Sequence, residues 1–146
     1  MKLLKTIVLL FILASISLGC GSSSSSNEQI NLTGTWIGSF VITEVADPSN
    51  TETASMLAEF VQTGDQIVGT FSIVQIVVIT SGTFESFTRS GNSLGGIMDD
   101  GGHAWTNPAV FSGNVSGRTI IISGTILWPG IFATDTVFFQ ATISLN

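Results

Sequence analysis

Tyrosine is absent from the 146-residue chain, cysteine and histidine occur once each, and only 10% of the residues carry charge. One cysteine excludes an intrachain disulfide and any multi-cysteine metal centre. So little charge beside 44% hydrophobic residues excludes a charge-rich disordered protein, a coiled coil and a basic nucleic-acid binder. Lysine occurs only at Lys2 and Lys5. Beyond them, Arg89 and Arg118 stand against ten acids, a net charge of −8. Such a chain repels a phosphate backbone and has no basic cluster to reinforce contact with anionic lipid. The length allows one domain, or two small ones.

The first residues read as a targeting signal. Lys2 and Lys5 precede an apolar run from Thr6 to Leu13 and a smaller, weakly polar stretch from Ala14 to Gly19. The run is too short for a spanning helix, which needs about 20 residues. Residues 1–19 are therefore set apart from the fold. The sequence Ile16-Ser17-Leu18-Gly19-Cys20 resembles the lipobox of bacterial lipoproteins. That resemblance implies cleavage before Cys20, diacylation of its sulfur and, usually, acylation of the new amino terminus. Gly21 to Gln29, GSSSSSNEQ, has the composition of a flexible tether. Nine such residues span roughly 15–18 Å. Residues 20–30 form the expected anchor and tether. Two or three acyl chains hold a protein on a membrane far more firmly than one. The Gly at position 21, where enteric sorting reads Asp as a retention signal, resembles that of an outer-membrane lipoprotein, with its domain in the periplasm or at the cell surface.

From Asn31 onward apolar residues alternate with polar ones at a period of two, the pattern of half-buried strands. Thr, Val, Ile and Phe dominate. Three segments repeat: TGDQIVGTF from Thr63, SGNSLGGIM from Ser90 and SGRTIIISGTI from Ser116. Their leading glycines, Gly64, Gly91 and Gly117, are 27 and 26 residues apart. Glycine takes the positive φ that a tight hairpin requires, and the spacing fits two strands with their connections. The pattern predicts eight strands, near 32–44, 54–63, 66–76, 80–89, 93–99, 108–116, 119–128 and 132–145. An eight-stranded antiparallel up-and-down meander over residues 31–146 can close into a small all-β barrel, which removes both sheet edges. Its interior is either filled by side chains or holds one small ligand.

Alternation assigns inward faces to Trp36, Gly38, Phe40 and Ile42, to Met56, Ala58 and Phe60, and to Ile67, Gly69, Phe71 and Ile73. It does the same for Ile120, Ile122, Ile126 and Trp128, and for Val137, Phe139, Ala141, Ile143 and Leu145. The strands between are ambiguous. The opening LTGTWIGSF, Leu32 to Phe40, resembles the Gly-x-Trp strand of the calycin group, the lipocalins and avidins. FVQTGDQIVGTF, Phe60 to Phe71, is similar to the second hairpin of small lipoproteins with such barrels. The resemblance implies a calycin-like barrel in which Trp36 packs at the closed end. It carries over no biotin site, since the pocket's Tyr has no counterpart.

Candidate sites follow from the oddities in these patterns. With glycine at positions 38, 69 and 124, Phe40, Phe71 and Phe139 would line a dry space, with Gln62 or Asp135 as its polar end. Both polar residues fall in phase with inward positions, where a bare carboxylate is costly. The plainer reading of Asp135 is a wetted position at the barrel mouth. Should the rings instead meet across the axis, function moves to the loops. Asp99, Asp100 and His103 are compatible with a metal site or with a solvated Asp-Gly turn. The turn is preferred, and no metal or cofactor is expected. No GxSxG elbow surrounds any serine, and Glu44 with Asp135 makes a carboxylate pair only on paper. No enzymatic activity is expected. The run Ile73 to Thr80 is apolar on both faces and asks for a cover. The expected partners are thus the membrane through Cys20 and either a small apolar molecule or another envelope protein. A passive structural role is the third reading.

Overall fold

The computed structural model describes residues 29–75 and 79–146. The signal segment, Cys20 and nearly all of the tether lie outside the described residues, as do positions 76–78 of the apolar run. Eight strands follow in chain order: β1 (Gly34–Glu44), β2 (Thr51–Thr63), β3 (Gln66–Val74), β4 (Ile79–Ser90), β5 (Ser93–Asp99), β6 (Ala109–Ser116), β7 (Thr119–Leu127) and β8 (Thr136–Leu145). Each pairs antiparallel with the next, and β1 pairs with β8 from Trp36↔Leu145 to Glu44↔Val137, closing the barrel. This architecture is compatible with a calycin-like fold.

The two ends of the barrel differ. At the tight end the turns are two residues long, Gly64-Asp65, Gly91-Asn92 and Gly117-Arg118. The three glycines have φ of +62°, +61° and +55°, while the residues after them have negative φ. One positive φ at the first turn position is the signature of a type II′ turn, whose twist matches that of the flanking strands. At the wide end the connections 45–50, 100–108 and 128–135 are longer.

Every inward position assigned by alternation faces the interior. Trp36, Phe40, Met56, Phe60, Ile67, Phe71, Ile120, Ile122, Val137, Phe139 and Ile143 are buried. The ambiguous strands add Phe84, Phe87, Leu94, Met98, Phe111 and Val115. A bulge in β4 explains the ambiguity. Phe84 pairs with Gly69 and Phe87 with Ile67, so two residues, Glu85 and Ser86, stand opposite one. Ser86 takes φ +48°, and a bulge residue of that kind turns the chain back into phase. Both phenylalanines then point inward, three residues apart.

The inward glycines serve the wall, not a cavity. A methyl group on Gly38 would lie 1.9 Å from the Thr142 carbonyl oxygen. On Gly69 it would meet a Phe60 ring carbon at 2.5 Å, and on Gly124 a Phe139 ring carbon at 2.7 Å. Small barrels coil sharply, and backbone and rings fill the room that side chains would take. The dry space expected beside these three glycines is therefore occupied.

Strand β8 begins at Thr136, four residues later than the alternation suggests. Trp128 donates its backbone N–H to the Asp135 carbonyl at 2.7 Å, which closes 129–134 into a loop of its own. Pro129 and Gly130, at φ +78°, break the extended run. Asp135 is the last loop residue and is exposed.

Candidate functional site

The tight end is sealed by the chain's own entry. Leu32 and Trp36 are fully buried, and the Trp36 indole Nε1 donates to the Leu32 carbonyl at 2.9 Å. Gln62 Oε1 accepts from the Leu32 backbone N–H at 2.8 Å, and Gln62 Nε2 donates to the Gly64 carbonyl at 2.8 Å. Arg89, also buried, donates through Nε to the Gly91 carbonyl and through Nη1 to the Ile30 carbonyl. Burial lowers the Arg89 pKa from its ordinary value, and these carbonyl acceptors offset the cost of taking the guanidinium out of water.

The wide end is built around two buried carboxylates. Glu44, at the end of β1, accepts from the Thr134 backbone N–H at 2.7 Å and the Thr134 hydroxyl at 2.8 Å on Oε1. Its Oε2 accepts from Asn50 Nδ2 at 2.6 Å. Those hydrogen bonds, Asn50's foremost and then Thr134's, hold the Glu44 carboxyl below the usual range. Asp100 accepts through Oδ2 from the backbone N–H groups of Ala104 (2.6 Å) and Trp105 (3.0 Å) and from the Thr80 hydroxyl (3.2 Å). Its Oδ1 accepts from Gly102 N–H at 3.0 Å. Glu44 thus ties the 45–50 and 128–135 loops together, and Asp100 shapes the 100–108 loop. Thr106 N–H donates to the Leu127 carbonyl at 2.9 Å, which joins the 100–108 loop to the end of β7.

Between these anchors lies an aromatic column. Trp128 meets Trp105 edge-on at 6.1 Å, and Trp105 stacks on Phe71 at 5.5 Å and 11°. Phe71 meets Phe84 at 5.4 Å, Phe84 meets Phe60 at 5.0 Å, and Phe60 meets Trp36 at 6.3 Å. Six rings therefore run from the wide end to the tight end. Phe87 joins Phe60 at 5.3 Å and Phe111 at 5.2 Å, contacts between strands that are not neighbours. Rings from β2, β4 and β6 thus meet inside the barrel. Ala104, Ile131 and Phe132, only partly buried, pack against the core.

The five residues singled out as ligand contacts are not brought into one pocket. Phe40 stacks on Phe139 at 5.3 Å, and Phe71 belongs to the column. Gln62 lies at the tight end with its amide engaged by backbone, and exposed Asp135 lies at the wide end. Glu44 bonds Asn50 and Thr134, not Asp135. His103 is exposed. Asp99 and Asp100 accept from Gly101 and Gly102 N–H, as an Asp-Gly turn does. No group of three potential metal ligands is found among the described residues. Sequence reasoning placed Asp100 in a solvated turn, whereas its carboxylate is buried, and it missed Arg89 and Trp105. It also missed the anchoring role of Glu44, although Glu44 continues the in-phase series of Phe40 and Ile42.

Two shallow concavities, of about 370 and 480 Å³, lie on the outer wall beside Gly69 and Gly124. The described residues define a small closed antiparallel barrel with a filled, aromatic interior and one loop-covered end. Comparison with protein-family models, curated proteins and solved structures finds no match to this chain.

Proposed function

We propose that the chain is a bacterial envelope lipoprotein, anchored through Cys20 in the outer membrane, whose barrel takes a small apolar or amphipathic molecule at its wide end. The lipobox-like ISLGC and the Ser-rich tether support the anchor. The aromatic column carries the binding reading: it reaches the wide end, where the 128–135 loop carries Ile131 and Phe132 partly buried against the core, and an apolar guest can replace those side chains without disturbing the tight end. Aromatic surfaces with few polar groups are the usual lining of small-molecule sites. This reading gives the chain no catalytic role. It is tested by titrating the soluble domain, beginning at Glu28, with N-phenyl-1-naphthylamine. Saturable fluorescence enhancement is expected, and a linear response without saturation counts against binding.

The second reading is a protein partner on the barrel wall. Val74 and Ile79 pair across β3 and β4 with 48% and 73% of their surface exposed. A cross-strand apolar pair open to solvent favours a cover. Retention of a second envelope protein by wild type but not by Val74→Ser/Ile79→Ser would select this reading.

A further inference from the structure

The Trp105 indole is 2% exposed, and its Nε1 has no hydrogen-bond partner among the described residues. The other two indoles differ in this respect: Trp36 donates to Leu32, and Trp128 Nε1 does not share the condition. A buried donor left unpaired costs free energy comparable to a lost hydrogen bond. Such groups are uncommon in a fold that satisfies its other buried side chains. Trp105 sits where Asp100 fixes its backbone and where Phe71 and Trp128 fix its ring. The indole is held in place with its N–H unspent.

Charge at this end narrows what can accept that hydrogen. Glu44, Asp47, Glu52, Asp99, Asp100 and Asp135 all belong to the wide end, on its loops or the adjoining strand termini. Arg89 and Arg118 lie at the tight end, at the end of β4 and in the β6–β7 turn. An anionic head group would meet carboxylates and no fixed cation, a repulsion strengthened near a low-dielectric interior. An ammonium head has no lone pair to offer an N–H.

We infer that the wide end holds a binding site in which Trp105 Nε1 donates to a neutral acceptor oxygen of an amphiphile, a ketone, ester or ether. The guest's apolar body replaces Ile131 and Phe132 against the aromatic column. The loop bearing those two residues is held by the Glu44–Thr134 bonds at one side, and Gly130 at φ +78° stands at the other. This inference rests on the small-molecule reading above and adds the donor, the place and the class of ligand.

The test uses the soluble domain at about pH 8. Decan-2-one, decane and decanoate compete against N-phenyl-1-naphthylamine. Decan-2-one is expected to bind most tightly and decanoate most weakly. Trp105→Phe should weaken decan-2-one by roughly two- to twelve-fold, the worth of one net hydrogen bond, and leave decane unchanged. In 1H–15N spectra the wild-type Trp105 Nε1–H resonance should move downfield with decan-2-one and not with decane. That readout stands even if the variant fails to fold. Binding of N-phenyl-1-naphthylamine with no ketone-specific shift overturns the Trp105 site and leaves the small-molecule reading standing. Decanoate binding as tightly as decan-2-one overturns the neutral-ligand assignment. No binding of any probe removes both.

Discussion

Thr134 gives both its backbone N–H and its hydroxyl to a single oxygen of Glu44, ninety positions earlier in the chain. All three donors on Glu44, including Asn50 Nδ2, favour the ionised carboxylate. The same is true on a smaller scale of exposed Asp47, whose carboxylate accepts from the Ser49 hydroxyl and backbone N–H. Both pKa values are lowered from their ordinary 4.5 and 3.8.

Lowered folded-state values fix the sign of the acid response. The stabilisation is fully present above the unfolded values of 4.5 and 3.8, and it is lost as the pH falls through the lower folded values. Thermal melts should therefore be nearly flat in this contribution near neutral pH and drop in the acid range below the unfolded values. Glu44→Gln should melt lower at neutral pH and show a shallower acid limb. An acid limb of unchanged steepness would detach Glu44 from the response.

Trp36 plugs the tight end with no exposed surface. Trp36→Ala is expected to cost about 3–5 kcal/mol in denaturant titration. A cost under about 1 kcal/mol would show that the site collapses around the loss and that the plug is dispensable.

Two glycines separate close approach from mere smallness. Gly38→Ala drives a methyl group into the Thr142 carbonyl, 1.9 Å away, whereas a methyl on Gly95 has its nearest neighbour, the Phe111 carbonyl oxygen, at 3.9 Å. Gly38→Ala should destabilise by about 1–3 kcal/mol or more. Gly95→Ala should stay within about 1 kcal/mol of wild type. Equal melting temperatures for the two variants would refute the close-packed wall.

The anchor is tested in cells that process lipoproteins. Full-length protein should take up a fatty-acid analogue and partition into detergent, and Cys20→Ala should do neither. An unlabelled wild type would end the lipoprotein reading.

The strands were legible because their signals are local. Gly64, Gly91 and Gly117 announce their turns, and Trp36, Phe40 and Ile42 alternate without interruption. The β4 phase was not legible, because a bulge at Glu85–Ser86 reveals itself only against the facing strand. Nor does a sequence distinguish a glycine that opens a cavity from one that admits a neighbouring ring, as Gly69 and Gly124 do. Asp135 and Glu44 look alike along the chain. What separates them is Thr134, which folds back onto Glu44 and leaves its own neighbour in water. Trp105 lies in a connection without periodicity, so its burial depends on Asp100 shaping the loop around it.

The entry of the chain beneath the tight end also has a mechanical meaning. A pull at Gln29 directed along β1 meets a strand bonded on both sides, to β2 from Gly34 to Thr43 and to β8 from Trp36 to Glu44. Antiparallel hydrogen bonds lie perpendicular to the strands. Such a load therefore shears both ladders at once, sharing the tension over many bonds instead of breaking them singly from one end. A domain tied to a surface by its amino terminus would, on this geometry, resist drag through its strongest direction.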